Sequence, residues 1–363
     1  ANAWEVNATS VLDIAANTVR LSGPLTASGG AQLMRRGTGT LELAGSADFT
    51  ATYPSLWMRE GTTRFVSGAN YSMVAGPAAR EILLLDSGSL IVPVALEIEA
   101  GATVNTSGLW ARNGNATVLV KGTFNAVSGE VTLANTEGAA NTDFIVDGGQ
   151  FTQGDQWFML GVNSLARLIV TNGGSAVVGR LSLAGYGDSM GGAVRSGSCV
   201  VQVAPNSVLD VRNSVIWLTG LQANTNVLTP AILRVDGGTA ILPASSRNPA
   251  SLTLGIATLV LNGGRFVCSG LPTLTSVNIA TPALNNYLQG VDAVLLGVNG
   301  ITFDTQAYDV TVTQPLALEQ ASSAGVIKTG VGALTLAGGL APVPVTLNQG
   351  ALTIASSNRV AAL

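Results

Sequence analysis

The chain predicts an all-β protein wound as a parallel β-helix (a β-solenoid), and three observations carry that expectation. No long stretch repeats apolar residues at i, i+3, i+4 and i+7, and Gly, Asn, Ser and Thr recur too often for long helices. Short runs alternate apolar and polar residues with period two and are bounded by Gly or Asn. These runs recur in units of 25–32 residues through the middle of the chain. One such unit cannot bury its own apolar face; stacked units can.

The strands come first. Residues 40–43, 117–120, 200–203 and 251–254 alternate so that one face is buried and the other shown to neighbours or water. Turns follow. A strand, a Gly-Gly or similar turn and a second strand recur at 144–151, 168–176, 233–240 and 259–266, with looser copies at Gly88, Gly122 and Asn206. From Gly122 onward the turns fall at 122, 149, 174, 206, 238 and 264. Between turns a further strand ends in Gly, at 157–161, 180–185, 215–220 and 251–255. Each turn of the solenoid therefore holds about three short strands, and copies of unequal length favour a wide, irregular coil. About 14 turns spaced by ~4.8 Å give a rod on the order of 70 Å long.

Composition narrows the function. Of 363 residues, 17 are basic and 21 acidic, 10% in all, against about 25% in ordinary domains. The net charge is −4 and no basic cluster exceeds Arg35-Arg36, which excludes a nucleic-acid binder. Histidine is absent, so triads, zinc sites and general bases that need imidazole are excluded. The most apolar stretch, residues 82–98, is broken by Asp86, Ser87, Gly88, Ser89, Pro93 and Glu97, so no membrane-spanning helix is expected. Residues 1–5 lack the basic head and apolar core of a secretory signal, the mark of a mature product or a cut segment. Cys199 and Cys268 lie 69 residues apart, two or three turns or roughly 10–14 Å along the axis. A disulfide needs Cα atoms within about 7 Å, so two free, buried thiols are expected.

The ends of the chain share a module. Residues 33–45 read LMRRGTGTLELAG and residues 326–338 read VIKTGVGALTLAG. Each is followed by a strand, a Gly and another strand, at 56–66 and 345–354. The pattern basic-x-G-x-G-x-L-x-L-x-G followed by a G-x-L strand resembles the autotransporter-associated β-strand repeat. That family occurs in secreted bacterial surface proteins whose passenger regions are right-handed parallel β-helices. The resemblance implies a right-handed coil, secretion and a place outside the cell or on its surface. It covers two modules near 1–68 and 298–357 and leaves 69–297 as a divergent repeat region of one β-helix spanning 1–363. No stretch near the C-terminus reads as a membrane β-barrel.

The remaining constellations were weighed for chemistry. Asn141-Thr142-Asp143 is similar to the N-T-D element of polygalacturonases, but the other elements of that family are missing, so an ordinary turn is expected. Asp147, Asp210 and Asp236 are dispersed one per coil and read as turn residues. No catalytic, cofactor or metal site is expected. Tryptophan stands at 4, 57, 110, 157 and 217. Trp57, Trp110 and Trp217 have the opposite parity from their aliphatic neighbours, which predicts an outward aromatic stripe serving as an interaction surface. A solenoid also leaves open strand edges, so Trp4, Val6, Leu352 and Ile354 are expected at an end-to-end contact between copies. The sequence thus points to a non-catalytic structural rod of a bacterial surface, assembling end to end and in lateral contact with its own copies. An adhesin or surface-glycan-binding module is the alternative, and a polysaccharide-degrading enzyme the third reading.

Overall fold

The computed structural model describes residues 2–27, 31–49, 56–74, 83–86, 92–112, 114–134, 141–185, 197–217, 230–247, 255–273 and 281–355. Every regular element among them is a β-strand, and the strand pairings between successive coils are parallel. The fold is a parallel β-helix. It divides into two compact units, residues 1–169 with 174–178, and residues 170–173 with 179–363.

In the first unit each coil contributes three strands. The first coil is Trp4–Val6, Ser10–Asp13 and Thr18–Leu21; the second is Leu25–Ala27, Leu33–Arg36 and Thr40–Leu43. Equivalent residues stack. Leu41, Thr63, Leu96, Val118 and Phe144 form one inward column, and Leu43, Phe65, Ile98, Val120 and Val146 another. All ten side chains are buried. Within this core Phe124, Phe144, Phe151 and Phe158 meet with ring centroids 4.9–6.1 Å apart, a spacing suited to edge-on and tilted contacts. Coil length varies while register does not. Asn70 pairs with Thr103, a step of 103 − 70 = 33 residues, and Thr103 pairs with Thr123, a step of 20. Corners absorb the difference, as the unequal repeats in the sequence require.

Outward positions of the same strands carry charge. Arg20, Glu42, Arg64 and Glu97 are register partners on neighbouring strands, linked at 3.5, 3.4 and 2.6 Å. Exposed ion pairs of this kind contribute little, about 0–1 kcal/mol each, so stability rests on the apolar columns.

The second unit stacks Cys199–Val203, Ala231–Val235, Ala257–Leu261, Ala293–Leu296 and Leu316–Leu318 in one sheet. A second sheet runs through Val208–Trp217, Thr239–Leu242, Arg265–Cys268, Ile301–Asp304, Val326–Thr329 and Val345–Leu347. A third, short sheet joins Val310–Val312, Ala333–Leu336 and Ala351–Ile354. The Gly turns stack at one corner: the amide of Thr239 bonds the carbonyl of Ser207, Arg265 that of Gly238, and Thr302 that of Gly264. A Cβ added at Gly264 (φ 76°) would lie 2.0 Å from the Gly238 carbonyl oxygen, so this corner admits only glycine.

Both cysteines are free and buried, as the coil spacing predicts. Two aspartates expected in turns are instead in strands, Asp147 at the end of Asn141–Asp147 and Asp210 within Val208–Trp217. Asn141-Thr142-Asp143 opens a strand and is not a turn; Thr142 faces the core, and Asp143 accepts two bonds from Arg167 at 2.6 and 2.5 Å.

Two outcomes follow from this core. Leu183 is fully buried, and Leu183→Asp places a carboxylate among aliphatics; we expect a loss on the order of 4 kcal/mol in chemical denaturation. The companion position, Leu252, lies outside the described residues. Burial pushes the Cys199 thiol and the Tyr71 phenol up to about 12, and raises Cys268 and Tyr287 as well. Groups whose folded values are raised stabilise the fold fully below their unfolded values and lose that contribution as pH rises through the folded ones. Melting midpoints measured from pH 7 to 11 should therefore hold until about pH 9, then fall; a flat profile to pH 11 contradicts the burial of these groups.

Candidate functional site

The predicted aromatic stripe is not an exposed surface. Leu56 and Met58 face the core, 1% and 0% exposed, and Trp57 between them points the other way, as its parity requires. Yet Trp57 is half-buried, Trp110 is 9% exposed and Trp217 is 1% exposed. For Trp57 and Trp110 the reason lies two residues along the chain. The Arg59 guanidinium sits 5.2 Å from the Trp57 ring centre, and that of Arg112 4.1 Å from Trp110, as cation–π lids. Trp217 has Arg247 as its register partner on the next coil. The indole Nε1 of all three is buried without a hydrogen-bond acceptor. These tryptophans form part of the packing, and the stripe is withdrawn as an interaction surface.

The residues expected at the ends behave differently. Trp4 pairs with Leu25, which is 2% exposed, but is itself 51% exposed; Val6 is buried. Leu352 and Ile354 are half-buried, whereas their register partners Leu334 and Leu336 are fully buried. Leu347, opposite Lys328, is 51% exposed.

The sequence reasoning passed over the most unusual side chains, the basic residues of the two modules. Arg35 stands in an inward column between Leu12 and Met58, and Lys328 in another between Phe303 and Leu347. Both are 0% exposed. Their signal was parity: Leu33 and Arg35, like Val326 and Lys328, are two apart in one strand and share its inward face.

The buried heads serve the corner that follows. Lys328 Nζ donates to the carbonyls of Thr329, Gly330 and Gln349 at 2.7, 2.8 and 3.1 Å. An ammonium has three donors, and all are used. Gln349 belongs to the next coil, so the lysine ties two successive corners. Arg35 Nη2 donates to the Gly39 carbonyl, while its Nε and Nη1 are buried without an acceptor. Burial lowers the pKa of both, opposed by Glu60 and Asp13 at Arg35 and by Asp304 at Lys328. The next module glycine completes each corner. A Cβ on Gly61 would stand 2.5 Å from Arg35 Nη2, and one on Gly350 would stand 2.5 Å from the Gly330 and Gly332 carbonyls. The basic residue, the two glycines that follow it (Gly37 and Gly39, or Gly330 and Gly332) and the glycine of the next coil (Gly61 or Gly350) are thus one device, a cation that caps corner carbonyls inside a coil too tight for side chains. Its chemistry is hydrogen bonding to backbone, which supports the fold and transforms nothing.

Among the described residues no group of three or more Cys, Asp or Glu is placed to hold a metal ion, and no helix is long and apolar enough to cross a membrane.

The two corners make an internal comparison. Lys328→Met strands three carbonyls, and we expect a loss of about 1–3 kcal/mol. Arg35→Lys removes two orphaned donors and offers an ammonium to the equivalent carbonyls, so it should be neutral or stabilising by up to about 1 kcal/mol. Urea titrations of both variants check this, and a destabilised Arg35→Lys contradicts the equivalence of the corners. Comparison with protein-family models, with characterised proteins and with solved structures returns no match.

Proposed function

We propose that the chain is a non-catalytic structural β-helix of a bacterial surface, secreted, and assembling end to end with copies of itself. The observation that carries this reading is the state of the apolar columns in the outermost described coils. Trp4 and Leu347 are each 51% exposed at positions whose partners one coil inward are buried, and Leu352 and Ile354 are half-buried above fully buried leucines. Another coil laid on such a column would bury these side chains at about 25 cal/mol per Å² and pair with the outermost described strand. The contact is heterologous and repeats without closing, so it gives a filament.

The carboxylates favour a structural role over a hydrolytic one. Glu97, Asp143, Asp236, Asp292, Asp304 and Glu319 each accept from an arginine. Glycoside hydrolysis uses two carboxyl groups free to face a common space, whereas these are held by guanidinium groups along the strands, Asp236 and Glu319 sharing Arg234.

Negative-stain electron microscopy and sedimentation of the purified chain across a hundredfold concentration range test the proposal. Filaments or a growing weight-average mass are expected, and Thr353→Pro should abolish them by placing a proline on the outermost strand. A chain that stays monomeric at the highest concentration overturns end-to-end assembly.

A further inference from the structure

The second unit carries an open groove of about 590 Å³ that the structural reading does not use. It is lined by Arg265, Thr302, Asp304 and Thr329 of the strands Arg265–Cys268, Ile301–Asp304 and Val326–Thr329, and by the corner residues 306–307, 330–331 and 349. The volume is in the range of small-ligand sites.

The floor is built. Asp304 is 2% exposed, and it accepts from the Gln306 amide at 2.8 Å, from Gln306 Nε2 at 2.7 Å and from Arg265 Nη2. Burial alone raises its carboxyl, but the Gln306 amide and Arg265 outweigh that and hold it below the usual carboxylate range. The pair is therefore an ionised Asp–Arg couple at neutral pH, with no net charge between its members. Arg265 keeps half of its side chain exposed and has donors beyond the one given to Asp304. Gln306 has given its amide nitrogen to Asp304, which leaves Oε1 as an acceptor. Beside these groups Val331, 62% exposed, adds an apolar face.

We propose that this groove binds a short neutral saccharide. Vicinal hydroxyls need donors and acceptors side by side, which Arg265, Gln306 and Gln349 supply. The C–H face of a pyranose needs a small apolar surface, which Val331 and Ala307 supply. Of the charged residues here only Arg265 and Asp304 line the groove, and they offset each other, while the neighbouring Lys328 faces the core and spends its three donors on backbone carbonyls, which favours a neutral ligand over an anion or a cation.

The test uses the full chain and three neutral probes, maltotriose, cellotriose and chitotriose, read by saturation-transfer difference NMR, with the trianion citrate as a charged control. At least one trisaccharide should show saturation transfer, at least tenfold weakened in apparent affinity by Arg265→Ala and by Val331→Asp. Val331 is a surface position, so its variant should keep the wild-type melting midpoint even if Arg265→Ala disturbs the local fold. The proposal is overturned if no trisaccharide gives transfer, if both variants bind like wild type, or if citrate binds and the sugars do not.

Discussion

Each strand in either unit is hydrogen-bonded to its equivalent one coil away, in parallel and in register, so a residue's neighbours above and below are decided by where it stands in its own coil. Most other features depend on this. Inward positions must form columns, because a side chain that faces the core meets the same position of the next coil within about 5 Å. Phenylalanines gather around Phe144 for this reason, and one polar side chain among them would disturb two neighbours at once. Outward positions form columns too, which is why arginine and glutamate alternate through Arg20, Glu42, Arg64 and Glu97: like charges stacked at strand spacing would repel.

Corners answer to a different constraint. There the backbone leaves the ladder and its carbonyls turn toward the interior, where water does not reach. Lys328 and Arg35 meet that need from inside the core. A buried cation is ordinarily costly, but carbonyl oxygens of two successive corners surround Lys328 and replace its hydration. The arginine, longer and planar, fills the same slot with poorer hydrogen bonding.

How far the sequence revealed this varied with the kind of signal. Alternation and glycine spacing were enough for the strands, the coil and the corner positions, because they follow directly from strand and turn geometry. The free cysteines followed from coil arithmetic. The tryptophans misled because parity reports direction, not exposure: Trp57 and Trp110 do point away from the core, but arginines two residues later, which local alternation treats as solvated, fold back over them. Arg35 and Lys328 were overlooked for the converse reason. Their inward parity was visible, but charge was taken as a sign of the surface. The Asp304 groove combines side chains from four coils, and no spacing along the chain brings Arg265, Asp304 and Gln349 together.

The coil from Asn70 to Thr103 and the next, from Thr103 to Thr123, differ by 33 − 20 = 13 residues and still present the same strands in the same register. Corner length is thus decoupled from the ladder, and the consequence is evolutionary. Segments can be gained or lost at a corner without disturbing any column, whereas a single deletion inside a strand inverts every side chain beyond it. Lineages of such a protein should accumulate length changes at corners and keep only an alternating pattern in strands, so that two descendants share a coil long after their residues cease to align.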